Sequence, residues 1–531
     1  MTQQIEHPAL GSITGLQGDG VIQFLGVPYA TLEHRFAQPQ LIEKVDGKSI
    51  DATKLGPSCI SPPAGCDMEH GFIQQPLPQP TYSYSETECL NLNLTVPEKK
   101  SLGKLPVFVF LHGGGFVIGS NAWPQYNLAR MVKLSTDLGT PIIGVNVNYR
   151  LGAFGFLASS ELQSAGFKAN RGIRDQQAAL RWVKKFIIGF GGDPGRITVV
   201  GESAGGVSAT LHLLSEEPLF KQLVSMGGTS LLMKPLPPPV TEWIYAGVLK
   251  ALGLSDLSVK DRIEALLNLP ATDILTKVPP TFPLIPALDG DVVHSNLTFA
   301  DWRNGAASNL PGYSWCKRAM IGDCQYDGSI LAYMLLPRKA GIAESFRKSA
   351  ETTLPDHPSV TQKLIDGYNI TPNVRDDEAM KNILHFATDI AFYAPAVTLA
   401  QAWPANSAYL YHFNEPNPWD GSGKGEATHI LDVAFLFQNY NEKLSDEQAA
   451  SARAFAADMI AFVNENEPFQ SHGTNKASAA QVYGIRTPGG VATVNGGKPE
   501  DYGRRSRIWD LAREVNLDQL AGVWDSFVAG R

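Results

Sequence analysis

The chain has 531 residues and a mass of 57.5 kDa, with 44 Lys+Arg against 52 Asp+Glu and a formal net charge of −8. A mildly acidic surface excludes a nucleic-acid-backbone binder, which needs a basic face. A content of 44% hydrophobic and 18% charged residues excludes a disordered chain. No run of 18 or more uncharged apolar residues occurs, so no membrane-spanning helix is expected. The first 30 residues hold Glu6 and Asp19 in place of a basic start and an apolar block, which is not a secretory signal. A cytoplasmic location is expected, or a secreted one if a leader has been removed. Five cysteines without a CxxC pair suggest neither a disulfide scaffold nor a zinc site, and no metal or organic cofactor is implied.

In chain order, the first distinctive segment runs from about 59 to 89. Pro62, Pro63, Pro76, Pro78 and Pro80 interrupt it, Pro57 stands just before its entry, and it shows no helical period, which predicts a long loop. Cys59 and Cys89 stand at its ends, either as a staple or as two buried thiols. Leu105 to Leu111 (LPVFVFL), Pro141 to Val147 (PIIGVNV) and Arg196 to Val200 (RITVV) are short, uncharged and rich in β-branched residues. They read as strands buried on both faces of a sheet. Asp175 to Ile188 repeats apolar residues at three- and four-residue intervals, a helix with one buried stripe. Strand, helix and strand in series imply a mostly parallel sheet with helices on its faces. From about 231 onward helical patterns dominate, joined by polar Gly/Pro/Asn connections. Length alone suggests about three domains, yet no repeat or linker interrupts the chain, and a single enlarged α/β domain over 1–531 is expected.

Two glycine motifs follow predicted strands. Gly201-Glu202-Ser203-Ala204-Gly205 directly follows RITVV and opens a small-residue helical stretch. A serine thrown up at a strand-to-helix turn needs glycine two residues away on either side, because a β-carbon there would strike the neighbouring elements. The turn also places the hydroxyl at the positive end of a helix, where an oxyanion is favoured. His112-Gly113-Gly114-Gly115-Phe116 follows LPVFVFL. Its glycines let two backbone N–H groups converge with that of Ala204 into an oxyanion hole, and no Lys-Ser/Thr follows as a phosphate loop requires. Such a serine needs a base and an orienting acid later in the chain. His212, His294, His357, His385, His412, His429 and His472 all satisfy the order. His429 stands in a glycine-bearing loop entering an apolar segment, His412 reads as a strand residue, and His472 is the rival in a polar stretch expected at the surface. Asp327, before Gly328, and Asp323 in the same loop are the candidate acids, and spacing does not choose between them.

Taken together these motifs resemble the type-B carboxylesterase/lipase family, the cholinesterase-like branch of the α/β hydrolases. The likeness spans FLGVPYA from Phe24, ECLNLN from Glu88, HGGGF from His112, NYRLGAFGFL from Asn148, DQQAALRWV from Asp175, FGGDPGRITVVGESAGG from Phe190 and PALDGD from Pro286. It implies an α/β-hydrolase fold with a central, mostly parallel twisted sheet and large helical insertions in the second half. It also implies a serine ester hydrolase working through an acyl-enzyme on small to medium soluble esters, with Ser203 as nucleophile. The family's "DEG"-like motif falls on Asp327 and its "HGxEL"-like motif on His429, with Asp432 in the acidic slot. The oxyanion donors carry over to Gly114, Gly115 and Ala204. A loop disulfide maps to Cys59 and Cys89, and an ion pair of Arg150 to Glu88. The 59–89 loop would lie over the active-site entrance. Departures are informative: the loop has no tryptophan, and Ser329-Ile330-Leu331 replace the aromatics that hold choline. A Pro-rich loop is a poor interfacial lid, and Gly227 replaces a serine that supports the acid and histidine. Acyl transfer in a biosynthetic pathway and a non-enzymatic binding role are the alternatives. The expected partner is a small-molecule ester, with no nucleic acid and no membrane span; the oligomeric state has no signature in the sequence.

Overall fold

The computed structural model describes residues 1–43, 49–99, 103–404, 406–473, 479–485 and 487–530. One sheet of 13 strands organises these residues. In chain order they are β1 (Thr2–His7), β2 (Gly11–Gly18), β3 (Val21–Pro28), β4 (Ile50–Ala52), β5 (Asn91–Pro97), β6 (Leu105–Leu111) and β7 (Ile143–Val147), then β8 (Gly192–Glu202), β9 (Gln222–Met226), β10 (Arg318–Cys324), β11 (Ala408–Phe413), β12 (Ala479–Tyr483) and β13 (Val491–Asn495). Their spatial order is β1-β2-β3-β5-β7-β6-β8-β9-β10-β11-β12-β13, with β4 beside β2. From β7 to β12 every pair is parallel, and the flanking strands pair antiparallel except β4, which runs parallel to β2. Every residue of β5, β6, β7 and β9 is buried; β6 (LPVFVFL) runs as a continuous apolar block, as a strand covered on both faces does, whereas β5 (NLNLTVP) buries its alternating polar residues through hydrogen bonds of Asn91 and Asn93. The strand over RITVV is longer than its apolar run, because it begins at Gly192 and continues through Glu202.

Helices cover both faces. Those that position the site are α1 (Gly65–Ile73), α2 (Arg171–Phe186), α3 (Ala204–Leu211), α4 (Asp376–Thr388), α5 (Ala394–Ala402) and α6 (Arg507–Leu511). The Asp175–Ile188 pattern is realised as α2, which starts four residues earlier and tightens into a 3-10 turn at Ile187–Phe190. Between α4 and α5 the chain passes through a π-helical turn, Asp389–Tyr393. The continuous stretch Asp376–Ala402 is long and apolar enough to cross a membrane, but 94% of its apolar window is buried inside the protein, as in a core helix.

Three expectations are corrected. The Pro-rich segment is not wholly irregular: α1 forms where prolines are absent, between Pro63 and Pro76, and buries Cys66, Glu69, His70 and Ile73. No disulfide joins Cys59 to Cys89. Both are buried free thiols, with Cys59 Sγ 3.9 Å from the Cys89 carbonyl oxygen. Arg150 pairs with Asp175, not Glu88. Its Nε and Nη2 donate to the two carboxylate oxygens at 2.8 and 2.7 Å, and Nη1 donates to the carbonyls of Arg35 and Ala37. Glu88 is exposed, whereas neighbouring Glu86 pairs with Arg35. Each guanidinium nitrogen thus has a partner inside the core, where Asp175 is completely buried. Losing one partner of such a pair leaves a lone buried charge, which costs about 3–5 kcal/mol. Asp175→Asn is expected to lower unfolding stability in urea by that amount, and a loss below about 1 kcal/mol would contradict the role assigned to the pair.

Candidate active site

Ser203 joins β8 to α3 with φ 52° and ψ −121°, a backbone region that a side-chain-bearing residue rarely enters without support from its surroundings. The support is steric and comes from glycine. A β-carbon on Gly201 would lie 2.1 Å from the Gly205 carbonyl oxygen, and one on Gly205 would lie 1.9 Å from that of Leu111. The strand and helix therefore cross at backbone contact, and Ser203 N–H donates to the Met226 carbonyl at 2.8 Å to pin the turn to β9.

At the end of β6 the glycine run bends toward the same point. Gly114 and Gly115 have φ of 91° and 61°, which glycine adopts at no steric cost. A β-carbon on Gly113 would meet Glu202 Oε2 and the Ser203 β-carbon, so this backbone passes directly over the serine turn. Among the described residues, the N–H groups of Gly114, Gly115 and Ala204 donate to no other protein group.

The candidate acids and bases resolve into two separate pairs. His429 Nδ1 and Asp327 Oδ1 are 2.7 Å apart, while the second Asp327 oxygen accepts from Cys324 N–H at 2.6 Å. Asp323 instead engages His412 Nδ1 at 2.6 Å and Arg504 at 2.8 Å. His412 is a strand residue, in register with Asp323 across β10 and β11. His472 departs from the expected surface loop: it is buried, and its Nδ1 contacts the Ala479 carbonyl. Gly227 and Gly228 tie the first pair to the serine. A β-carbon on Gly227 would lie 3.2 Å from both Asp327 Oδ1 and His429 Cε1, and one on Gly228 would lie 2.9 Å from Ser203 Cα. A serine side chain at 227 would touch the acid–imidazole bond; glycine leaves Cys324 N–H as the prop on that carboxylate.

His429 Nε2 has no hydrogen-bond partner in this structure, so the serine hydroxyl is not yet bonded to the ring. Such bonds are often loose in unliganded enzymes and tighten with substrate. The charged neighbour of Nε2 is Glu202 Oε1, at 3.2 Å. Glu202 and its role beside the imidazole escape sequence reasoning. The signal was there: an acid closing a buried apolar strand has to face a partner. Two more carboxyls crowd the site. Burial, against a hydrogen bond from Gln125 and with the Glu202 charge adding to it, pushes Glu69 up to about 8. Burial and then the charges of Asp327 and Glu202 push Asp432, which accepts from Tyr411 Oη, up to about 7. Burial lowers the affinity of His429 for a proton, but its hydrogen bond to Asp327 and its contact with Glu202 outweigh this and raise its pKa. No group of three or more His, Cys, Asp and Glu suited to a metal ion occurs among the described residues.

A serine in a strained turn, an imidazole hydrogen-bonded to a carboxylate, and free N–H groups over the serine form the apparatus for acyl transfer. Comparison with known proteins agrees. Residues 2–484 match the carboxylesterase family. The chain is 28% identical over 494 residues to para-nitrobenzyl esterase of Bacillus subtilis (strain 168), covering 88% of this chain and 91% of that protein. It is 30% identical over 500 residues to Lipase 4 of Diutina rugosa, covering 86% of each. A solved PNB esterase superimposes with a TM-score of 0.70 at 25% identity, covering 94% of this chain and 98% of that one. The chain belongs to the carboxylesterase family, with an α/β-hydrolase fold, and is a serine hydrolase of carboxylic esters.

Proposed function

We propose that Ser203 is the nucleophile, His429 its general base and Asp327 the acid that orients the ring, with Gly114, Gly115 and Ala204 as oxyanion donors. The observation that carries this reading is the 2.7 Å contact between His429 and Asp327, held against the serine turn by Gly227 and Gly228. Ser203 Oγ attacks the ester carbonyl carbon while its proton passes to His429 Nε2. The tetrahedral oxyanion takes hydrogen bonds from the three backbone N–H groups, which strengthen as charge develops. His429 then returns the proton to the departing alcohol, leaving an acyl group on Ser203. Water, deprotonated by the same nitrogen, removes it as the carboxylic acid. The substrates we favour are small to medium soluble esters. The 59–89 segment supports this choice, because α1 turns Glu69 and His70 into the protein instead of forming an apolar lid.

Two outcomes test the assignment. Ser203→Ala should abolish the p-nitrophenolate burst and reduce p-nitrophenyl ester turnover by about 10⁴-fold or more; retained burst kinetics would refute it. The second concerns pH. His429 accepts a proton only when neutral, so its pKa sets the acid limb of kcat/KM. Glu202, by its negative charge, stabilises the imidazolium and holds that limb up. Glu202→Gln is expected to move it to lower pH by about one unit, and a limb that stays fixed or rises would contradict the contact's electrostatic role.

A further inference from the structure

His412, of the second histidine–aspartate pair, lines a cavity of about 320 Å³, within the size range of small-molecule sites, roughly 300–1,000 Å³. His412, His472, Tyr502, Trp509 and Arg303 line it. Behind His412 stand buried, hydrogen-bonded groups. Asp323 and Arg504 are fully buried against each other, and His412 leans on that ion pair through Nδ1. Tyr502 stacks on the His412 ring with centroids 5.2 Å apart and planes 2° from parallel. Tyr393 Oη accepts from Trp509 Nε1 at 3.2 Å and meets Tyr502 Oη at 3.3 Å. Aromatic side chains, those of Tyr393, Tyr502 and Trp509, therefore make up much of the lining.

Two unsatisfied features fix the chemistry of an occupant. His472 is 4% exposed, its Nδ1 faces only a carbonyl acceptor, and so it carries its proton there. Its Nε2 is left as an acceptor with no partner. Burial lowers its pKa, which keeps the ring neutral. A buried unpaired acceptor calls for a donor. At the mouth, the Arg303 guanidinium lies 5.7 Å from the centre of the Trp509 ring. Among the described residues it has no carboxylate partner, whereas Arg513 beside it is paired with Asp510. An anion therefore fits at Arg303, an aromatic body against the aromatic lining, and a hydroxyl at His472.

We propose that this cavity is a second ligand site, separate from the one at Ser203, and that it takes a small phenolic carboxylic acid. The phenol donates to His472 Nε2, the ring packs between Tyr502 and Trp509, and the carboxylate meets Arg303. The wall it shares with the active site is the π-helical turn, a feature common at functional sites. There Phe392 packs on His429, centroids 5.4 Å apart, and the next residue, Tyr393, packs on His412 at 5.6 Å.

The test uses full-length enzyme whose Ser203 has first been phosphonylated by a fluorophosphonate, so that binding at the catalytic serine is blocked. Loss of esterase activity on this treatment reports on the catalytic reading separately. Titration calorimetry with 3-(4-hydroxyphenyl)propanoate should then give saturable binding with one site per chain. Binding should weaken about tenfold with 3-phenylpropanoate, which lacks the donor, and about tenfold in Arg303→Ala. Arg303 is exposed, so that variant should fold and hydrolyse p-nitrophenyl esters as the parent does. His472→Phe should lose the preference for the phenol over the unsubstituted ring. Absence of saturable binding, or equal affinity in the parent and Arg303→Ala, would overturn the proposal.

Discussion

Backbone-on-backbone contact at the crossing of β8, α3 and β6 is the constraint from which the rest follows. Gly201, Gly205 and Gly228 each occupy a place where a β-carbon would approach a carbonyl oxygen within 2.2 Å, a distance no real side chain tolerates. Removing those β-carbons lets helix, strand and loop close on one another, and closure forces the intervening residue into positive φ. The strain at Ser203 is therefore a consequence of packing around it. The surrounding sheet over-determines the turn, which is the condition under which such a conformation persists. The same crossing brings the N terminus of α3 and the turned glycines after β6 to one side of the serine, so that free N–H groups and hydroxyl converge without any residue having to move.

Around that crossing the molecule buries more acid than it can ionise at once. Glu69, Glu202, Asp327 and Asp432 all have pKa values above the usual carboxylate range, with burial as the leading cause. One imidazole serves two of them directly. The consequence is a division of labour set by contact. Asp327 and Glu202 touch His429 and share its positive charge when it is protonated, while Glu69 and Asp432 are tied by Gln125 and Tyr411 and are pushed above the usual carboxylate range chiefly by burial. In the proposed reaction, an oxyanion developing in such an acidic neighbourhood would draw its stabilisation from the three backbone N–H groups left uncommitted above the serine.

What could be read from residues alone was whatever sterics dictate locally. The strands over LPVFVFL and RITVV, the turn at GESAG and the glycine run after His112 all follow from short-range rules. The choice between Asp323 and Asp327 did not, and the reason is now physical: both acids hold a histidine, one through β11 and the other through the loop after it, so each fits the same local description. The partner of Arg150 was misassigned because a buried guanidinium is matched by tertiary approach. Asp175 lies 25 residues further on, and the packing of α2 against the turn after β7 brings it into contact with Arg150. The short helix in the Pro-rich segment and the burial of His472 were missed for a related cause. Prolines at the ends of a segment say little about its middle, and polar neighbours do not prevent a ring from being covered by distant strands. Glu202 has no local signature of its role, because its contact with His429 is made by a residue more than two hundred positions later, although a carboxylate at the end of a buried strand is itself unusual.

The most direct measurement is acid quenching of the enzyme within the first turnover of p-nitrophenyl acetate, followed by peptide mass mapping. An acetyl group on Ser203 in the parent enzyme, absent when His429 is replaced by alanine, is the expected result. Acetyl on another residue, or undiminished acetylation of Ser203 without His429, would contradict an acyl-enzyme formed at this turn by this imidazole.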